Sequence, residues 1–529
     1  MFGFSFSRTK AQPIEAPTPL HQRPTRAYRA VRSAVRSMFA GAGTNRTDST
    51  APSNPLTADQ VVMKEQRILV ARSRHQAANS DYAKAFLRLC RQNIVGPQGI
   101  TLVGQVMTGK GTLDIATNEA LEWAWSEWSK AENCDVKGRQ SLRDIELACV
   151  NGAATDGEFM VRLVWGEAGG DAGPWGFCLQ TMDPVRCPVD LNVERPQGGG
   201  FIRHGIHFNQ YGRPLGYYFT TTNEADEAFF YGGKAYHRIP AEEMLHGFRE
   251  DMVGQKRGFP WMSTGLNRMR HLTGLEDAAV IAARIGASQM GFVQWKEGFG
   301  PRLEDGEEVP EYEAEAGTFQ TLPEGAELKE WKPNYPSGEF APFAKHLLRG
   351  AAAGFGVPYN ELAADLEGVN FSSIRQGTLD SRENWKDLQQ WLMEQLMSRV
   401  YAQWLPRALL SGRIKVRGKP LAATTVERLR AIAWQGRRWQ WIDPRADVDA
   451  AVESKNNMLA SPGEIIREQG KDPLAVWKAT ARDLRSMVDT LVNEGFPDDK
   501  AMELVMLSMG KQPEKPQPKP AEKKEPANA

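Results

Sequence analysis

Residues 356–406 read GVPYNELAADLEGVNFSSIRQGTLDSRENWKDLQQWLMEQLMSRVYAQWLP, a turn-rich opening followed by the longest periodic run in the chain. Trp385, Leu388, Leu392, Leu396, Val400 and Trp404 recur every three or four residues, which puts one apolar stripe on an α-helix. The pattern predicts a helix opened by Ser372 or Ser373 and closed at Pro406. At roughly 33 residues it would span about 50 Å. That is longer than an ordinary domain core requires. Gly356 and Pro358 break the helix arriving from upstream, and Asn370 to Ser373 supply capping side chains. Between them Asp365, Glu367 and Gly368 are small or acidic, so the stretch reads as a projecting loop.

Working outward, Phe340, Phe343, Leu347, Leu348 and Ala351 mark the helix that enters this loop. Leu266, Met269, Leu272, Leu275, Ala279, Ala282 and Ile285 mark another after Pro260, which spans roughly 40 Å if it runs to about Met290. The segment between the two is broken by Gly and Pro and is acidic. Glu297, Glu304, Asp305, Glu307, Glu308, Glu311, Glu313, Glu315, Glu324, Glu327 and Glu330 face only Arg302 and Lys329 there. Two helices enclosing a small irregular module make a stalk with a tip.

Further upstream, Thr57 and Gln60 have capping-box spacing and open a segment that reads as helix up to Gly96-Pro97. Leu121, Trp125 and Trp128 share a second helix, and Ser141 with Asp144 opens a third. From Glu158 to Ile239 come the short runs FMVRLVW, GFCLQ, GIHF and LGYYFT, separated by Gly, Pro, Asn and Asp, which are strands and turns. The fold class is therefore α+β. Beyond the long helix lie a strand-like IKVRG and helices opened by Asp443-Pro444 and by Ser461-Pro462-Gly463-Glu464.

With 529 residues, 41% hydrophobic and 25% charged, the chain can bury a sizeable core, which excludes a peptide, a knottin and a wholly disordered chain. Lys+Arg 65 against Asp+Glu 65 leaves no net charge, so the excess expected of a tight duplex-DNA binder is missing. The five cysteines are odd in number and contain no C-x-x-C pair, so neither a disulfide framework nor a zinc ribbon is expected and a reducing cytoplasm is the default. MFGFSFSRTK lacks a continuous apolar core after a basic cap, and no window approaches roughly 18 apolar residues, so neither export nor membrane insertion is expected. Up to about Asn54, Arg23, Arg26, Arg29, Arg32 and Arg36 sit among Pro, Ser, Thr and Ala, a solvated or docking basic arm. The final KQPEKPQPKPAEKKEPANA cannot bury a core.

Enzymatic signatures are incomplete. In Gly104-Gln-Val-Met-Thr-Gly109-Lys110-Gly111-Thr112, Gly111 stands where a P-loop needs the hydroxyl that ligates magnesium, so a surface hairpin or loop is expected. His204 and His207 lie three apart in FIRHGIHF, which in one strand would send them to opposite faces and away from a shared metal. Asp156-Gly157-Glu158 is chiefly a turn before a strand. The 15 tryptophans fall mostly at helical spacings, as core or interface anchors do.

Taken in order and spacing, several stretches resemble the lambda family of phage portal proteins. They are ARSRHQAANSDYAKAFLRLCRQNIVGPQGI from Ala71, Asp156 to Glu158, GIHFNQYGRP from Gly205, RIPAEEMLH from Arg238, KRGFPW from Lys256, LPEG from Leu322, GVPYNELAADLEGVNFSSIR from Gly356, and WIDPRADVDA. The resemblance runs from about Ala71 to about Leu484. Its departures are Phe371, where Tyr is expected, and Phe208, where an acid is common.

The resemblance implies a portal fold assembled as a dodecameric ring at one capsid vertex of the virion, built in the host cytoplasm. Its implied parts are a basic arm (1–55), an α/β wing (56–261), a stem helix (262–290), an acidic clip (291–337), a returning stem helix (338–355), a tunnel loop (356–372), a long helix (373–411), wing-end and crown helices (412–510) and a Pro/Lys/Glu tail (511–529). Asp365, Glu367, Asn370, Ser372 and Ser373 would line the DNA channel. Glu304, Asp305, Glu307, Glu308 and Glu311 would form the docking surface of the clip. The implied partners are further copies of the chain, the terminase large subunit, the major capsid protein and scaffold, a head-completion protein and the double-stranded DNA in the channel, with no membrane. No catalytic residue, metal or cofactor is implied. A packaging ATPase or nuclease is the alternative and needs an intact P-loop or a metal-binding carboxylate cluster. A non-viral pore or scaffold is the third reading.

Overall fold

The computed structural model describes residues 54–167, 170, 172–220, 236–287, 291–297, 325–330, 338, 340–368, 370–439 and 443–508. Its helices and strands belong to the second of two compact units, Met1–Thr57 and Ala58–Ala529. The basic arm with Arg23 to Arg36 and the tail 511–529 lie outside the described residues.

Two helices, α1 (Ala58–Asn79) and α2 (Asp81–Cys90), stand where one was expected. Ser80 divides them, because its backbone is extended and its hydroxyl accepts from the Ala83 amide to start a new helix. Arg91–Val95 then widens into a π-turn. The carbonyl of Asn93 would find its α-helical donor at residue 97, but Pro97 has no N–H. The buried Gln389 amide donates to it instead, at 2.7 Å, and also to the Arg437 carbonyl at 3.0 Å.

Strand β1 (Thr101–Gly104) pairs antiparallel with Ile432–Gln435, so the two ends of the core share a ladder. Next come α3 (Ile115–Trp128) and α4 (Leu142–Asp156), the latter opened by the capping box of Ser141 and Asp144. Strand β2 (Glu158–Trp165) is central in an antiparallel sheet with β3 (Phe177–Met182) and β8 (Met244–Phe248). Strands β4 (Phe201–Arg203), β5 (Ile206–Phe208), β6 (Pro214–Phe219) and β7 (His237–Pro240) form a four-stranded meander. Met160, Met182, Ile206, Phe208, Tyr217, Phe219, Ile239 and Met244 fill a small core of their own.

FIRHGIHF is therefore a hairpin and not one strand. His204 and Gly205 make its turn with φ of 53° and 79°. A left-handed histidine is uncommon, and here the Arg257 guanidinium holds the His204 carbonyl while the ring bonds the Val189 carbonyl. Phe208, the departure from the family pattern, is buried and stacks on Phe201 with centroids 5.5 Å apart.

Helices α5 (Leu266–Ala287) and α6 (Phe340–Phe355) pack on each other. Between them in sequence, β9 (Gly291–Trp295) and β10 (Ala326–Glu330) form an antiparallel ladder, with Lys296 paired to Glu327 at 2.7 Å. The tip expected to be irregular is rooted on these two strands. Helix α7 (Phe371–Leu392), a second π-turn (Met393–Met397) and α8 (Ser398–Leu410) make one helical run. The run passes Pro406, where it was expected to stop. The carbonyl that Pro406 leaves without a donor belongs to the exposed Ala402, within reach of water. Helices Pro444–Asn456 and Pro462–Glu468 carry the expected caps, Asp443 and Ser461.

At the centre of the large core, the Trp125 ring lies 4.9 Å from that of Trp128 and 5.0 Å from that of Trp404. The buried Trp128 indole donates to the Phe177 carbonyl at 2.9 Å. Gln389→Leu keeps the volume of its site but leaves two carbonyls without their donor. It should destabilise the protein by about 1–3 kcal/mol, read as a lowered urea midpoint with an unchanged slope.

Candidate functional site

Asp156-Gly157-Glu158 and Arg257-Gly258-Phe259 are distant in sequence and interlock in space. Glu158 and Arg257 are 0% and 1% exposed. The guanidinium donates to both Glu158 oxygens at 2.8 and 2.9 Å and to the carbonyls of Pro184, Cys187 and His204 at 3.0, 2.9 and 2.8 Å. The Gly258 amide and His246 Nε2 also donate to Glu158, at 3.2 and 2.9 Å. Burial pushes the Glu158 carboxyl up, but Arg257 and His246 beside it outweigh burial and hold it at about 2. Burial keeps the His246 imidazole below its usual range.

The two backbones cross here without room for a side chain. A Cβ on Gly157 would lie 2.3 Å from the Phe259 carbonyl carbon, and one on Gly258 would lie 2.0 Å from the Gly157 oxygen. Asp156 makes a bidentate pair with Arg74, both contacts at 2.7 Å. The sequence DGE thus ends α4 and anchors α1, with both carboxylates neutralised.

The loop between α6 and α7 is held from several sides. Gly356 leaves α6 with φ 69°, and its carbonyl accepts from Asn384 at 3.0 Å. Tyr359–Ala363 forms one short helix, closed by Ala364 at φ 52°. Asp365 Oδ2 is bound by Lys345 Nζ at 2.8 Å and by the Tyr359 hydroxyl at 2.7 Å, and Oδ1 accepts from the Glu367 amide at 2.9 Å. The Lys345 ammonium first, and then the Tyr359 hydroxyl, hold the Asp365 carboxyl well below its usual range.

Glu367 is the carboxylate this loop presents, at 87% exposed, beside Leu366 at 66%. Asn370 caps α7 by accepting from the Ser373 amide at 2.8 Å. Ser372 and Ser373, expected to open the helix, sit in its first turn because it begins at Phe371. The five residues expected to line a channel are thus gathered at one loop and helix start. The Phe371 side chain and Glu304, Asp305, Glu307, Glu308 and Glu311 lie outside the described residues.

Lys110 stands on a hairpin in which Met107 bridges Leu113 and the Thr108 amide donates to Thr112 at 2.7 Å. No helix starts beneath it until Ile115. His204 and His207 each bond a backbone carbonyl, of Val189 at 3.2 Å and of Gly199 at 2.7 Å. All five cysteines are buried free thiols. Among the described residues no cluster of three His, Cys, Asp or Glu could hold a metal, and no helix is long and apolar enough to cross a membrane.

The pattern of phage portal proteins of the lambda family matches residues 44–389. A probable portal protein of Halomonas phage phiHAP-1 is 35% identical over 446 residues, covering 82% of this chain and 83% of that one. Such agreement defines a phage structural protein of the portal class. The chain belongs to the lambda family of phage portal proteins. Among solved structures, the neck of an empty gene transfer agent particle computed with C6 symmetry is similar at 14% identity, covering 80% of this chain and 97% of that one, with a TM-score of 0.42. The neck of the native particle computed with C12 symmetry gives 14%, 81%, 99% and 0.41.

Glu158→Gln breaks a buried ion pair and should cost about 3–5 kcal/mol near neutral pH. The contribution of Glu158 is complete above the ordinary glutamate pKa of about 4.3. It is lost as pH falls through the folded value of about 2. The melting temperatures of parent and variant should therefore converge over that acid window, and a gap that stays constant with pH would contradict the pairing.

Proposed function

We propose that the chain assembles as a dodecameric ring at one capsid vertex, forming the conduit through which terminase drives double-stranded DNA into the head and from which DNA later leaves. The observation that carries this reading is membership of the portal family across both the sheet-bearing half and the stem helices with their loop. Physical features support it. Helices α5 and α6 leave Val280, Ile281 and Phe343 exposed at 51%, 55% and 54%, apolar surface that a neighbouring copy would cover. Zero net charge suits a conduit, since each neutralised phosphate adds salt-sensitive grip. The loop 356–372 would act as a collar, restraining DNA by the bulk of Leu366 and Glu367. The acidic residues Glu304 to Glu311 would dock the motor and then the head-completion protein. Capsid protein and scaffold would surround the ring, which is assembled in the host cytoplasm and carries no catalysis or cofactor. The ATPase alternative is disfavoured by the hairpin under Lys110.

Sedimentation and end-on electron micrographs of the purified chain should show closed twelve-fold rings, and a folded monomer across micromolar concentrations would overturn the assembly. Deleting residues 364–368 should leave rings and procapsids intact while packaged DNA leaks out. Normal retention of full-length DNA by that deletion would refute the collar.

A further inference from the structure

We propose that the groove between the end of α1, the outer face of α2 and α4 binds the phosphate backbone of double-stranded DNA through Lys84, Arg88 and Arg91. The three cations are spaced i, i+4, i+7, which places them on one helix face over about 10 Å of axis. All three are exposed, and among the described residues none of their side chains makes an ion pair. Arg74, one turn before Ala77 on α1, is by contrast taken up by Asp156 and Asp183. They border a groove of about 790 Å³ whose single acidic lining residue is Asp81.

A helix-end dipole does not account for the row. The helical run continues through Arg91–Val95, so Lys84 and Arg88 lie more than a turn before its end. The chemistry of the groove favours phosphates over an acidic protein surface. Ala77 and Ala85 are small enough for a sugar-phosphate chain to come close beneath the cations, and the lining holds no aromatic anchor of the kind that protein interfaces centre on. With the reach of its long side chains, the row can face about two or three successive phosphates of one strand. Contacts to phosphates carry no base information, so the contact is independent of sequence.

The inference rests on the portal reading only for the presence of double-stranded DNA. The test uses the full chain and the variant Lys84→Gln/Arg88→Gln/Arg91→Gln, which alters exposed side chains only. Binding of a short fluorescent duplex is followed by anisotropy from low to physiological salt. The variant should bind roughly tenfold or more weakly at low salt, and its slope of log affinity against log salt should be shallower by about 2 to 3. Unchanged affinity and slope, with rings and melting temperature intact, would overturn the site. Unchanged DNA binding with loss of incorporation into procapsids would also overturn it, by showing that the groove contacts protein. Micrographs of the parent preparation report separately on the ring, so failure of the portal reading is seen independently.

Discussion

The Arg257 guanidinium is the contact on which the arrangement of the sheet half depends. It reaches one carboxylate and three carbonyls, on β2, on the 184–187 segment and on the β4–β5 turn. A planar fork of five N–H donors can serve these five oxygens at once, whereas the three donors of a lysine would leave at least two of them unmet. A buried ion pair gains little net energy, because desolvation offsets its attraction. Its consequence is geometric: pieces of chain that share no ladder are held at fixed positions around one side chain.

The residues flanking this contact extend its reach. Asp156, two before Glu158, grips Arg74, and Lys256, one before Arg257, grips Asp59 at 2.7 Å. Both partners lie on α1. Gly157 and Gly258 let the two strands of chain touch, and Pro260 follows directly into the turns that start α5. A single neighbourhood thus sets the places of α1, the end of α4, both sheets and the start of α5. Substitution of either glycine would have to move backbone, since the atoms in the way are main-chain atoms.

What was legible in the sequence was local. Caps at Ser141, Asp443 and Ser461, the strand runs after Glu158, the helical periodicity of α5 and α6 and the hairpin at Lys110 all follow from residues within a turn or two of one another. The resemblance to portal proteins was legible because its motifs are ordered along the whole chain. What stayed hidden depends on distant partners. Nothing near Asn93 announces that Gln389 will supply the donor Pro97 lacks, and nothing in FIRHGIHF shows that Arg257 will stabilise a left-handed His204. Pro406 misled because the carbonyl it orphans belongs to the exposed Ala402, where water can take the place of the missing donor. That Asp365 is neutralised is not visible in its own loop, because its partner, Lys345, lies on the preceding helix.

That last point changes how the loop between α6 and α7 would work. If repulsion were its chief means, both carboxylates would stand free, yet Asp365 is bound on both oxygens and only Glu367, itself 3.6 Å from Lys345, is presented. The contacts instead oppose motion. Asn384 holds the entrance at Gly356, Arg349 lies 5.4 Å over the Tyr359 ring, Lys345 ties the middle, and Asn370 fixes the exit. Each contact is weak alone, since exposed pairs contribute little. Together they remove the freedom that a loop closed between two helices would otherwise retain. In the proposed ring, a loop shaped beforehand in this way would restrain DNA by occupying space, which of itself needs no attraction to phosphates and adds no salt-dependent drag at the loop. Stiffness, set by neutral and internally satisfied contacts, is then the property its sequence encodes.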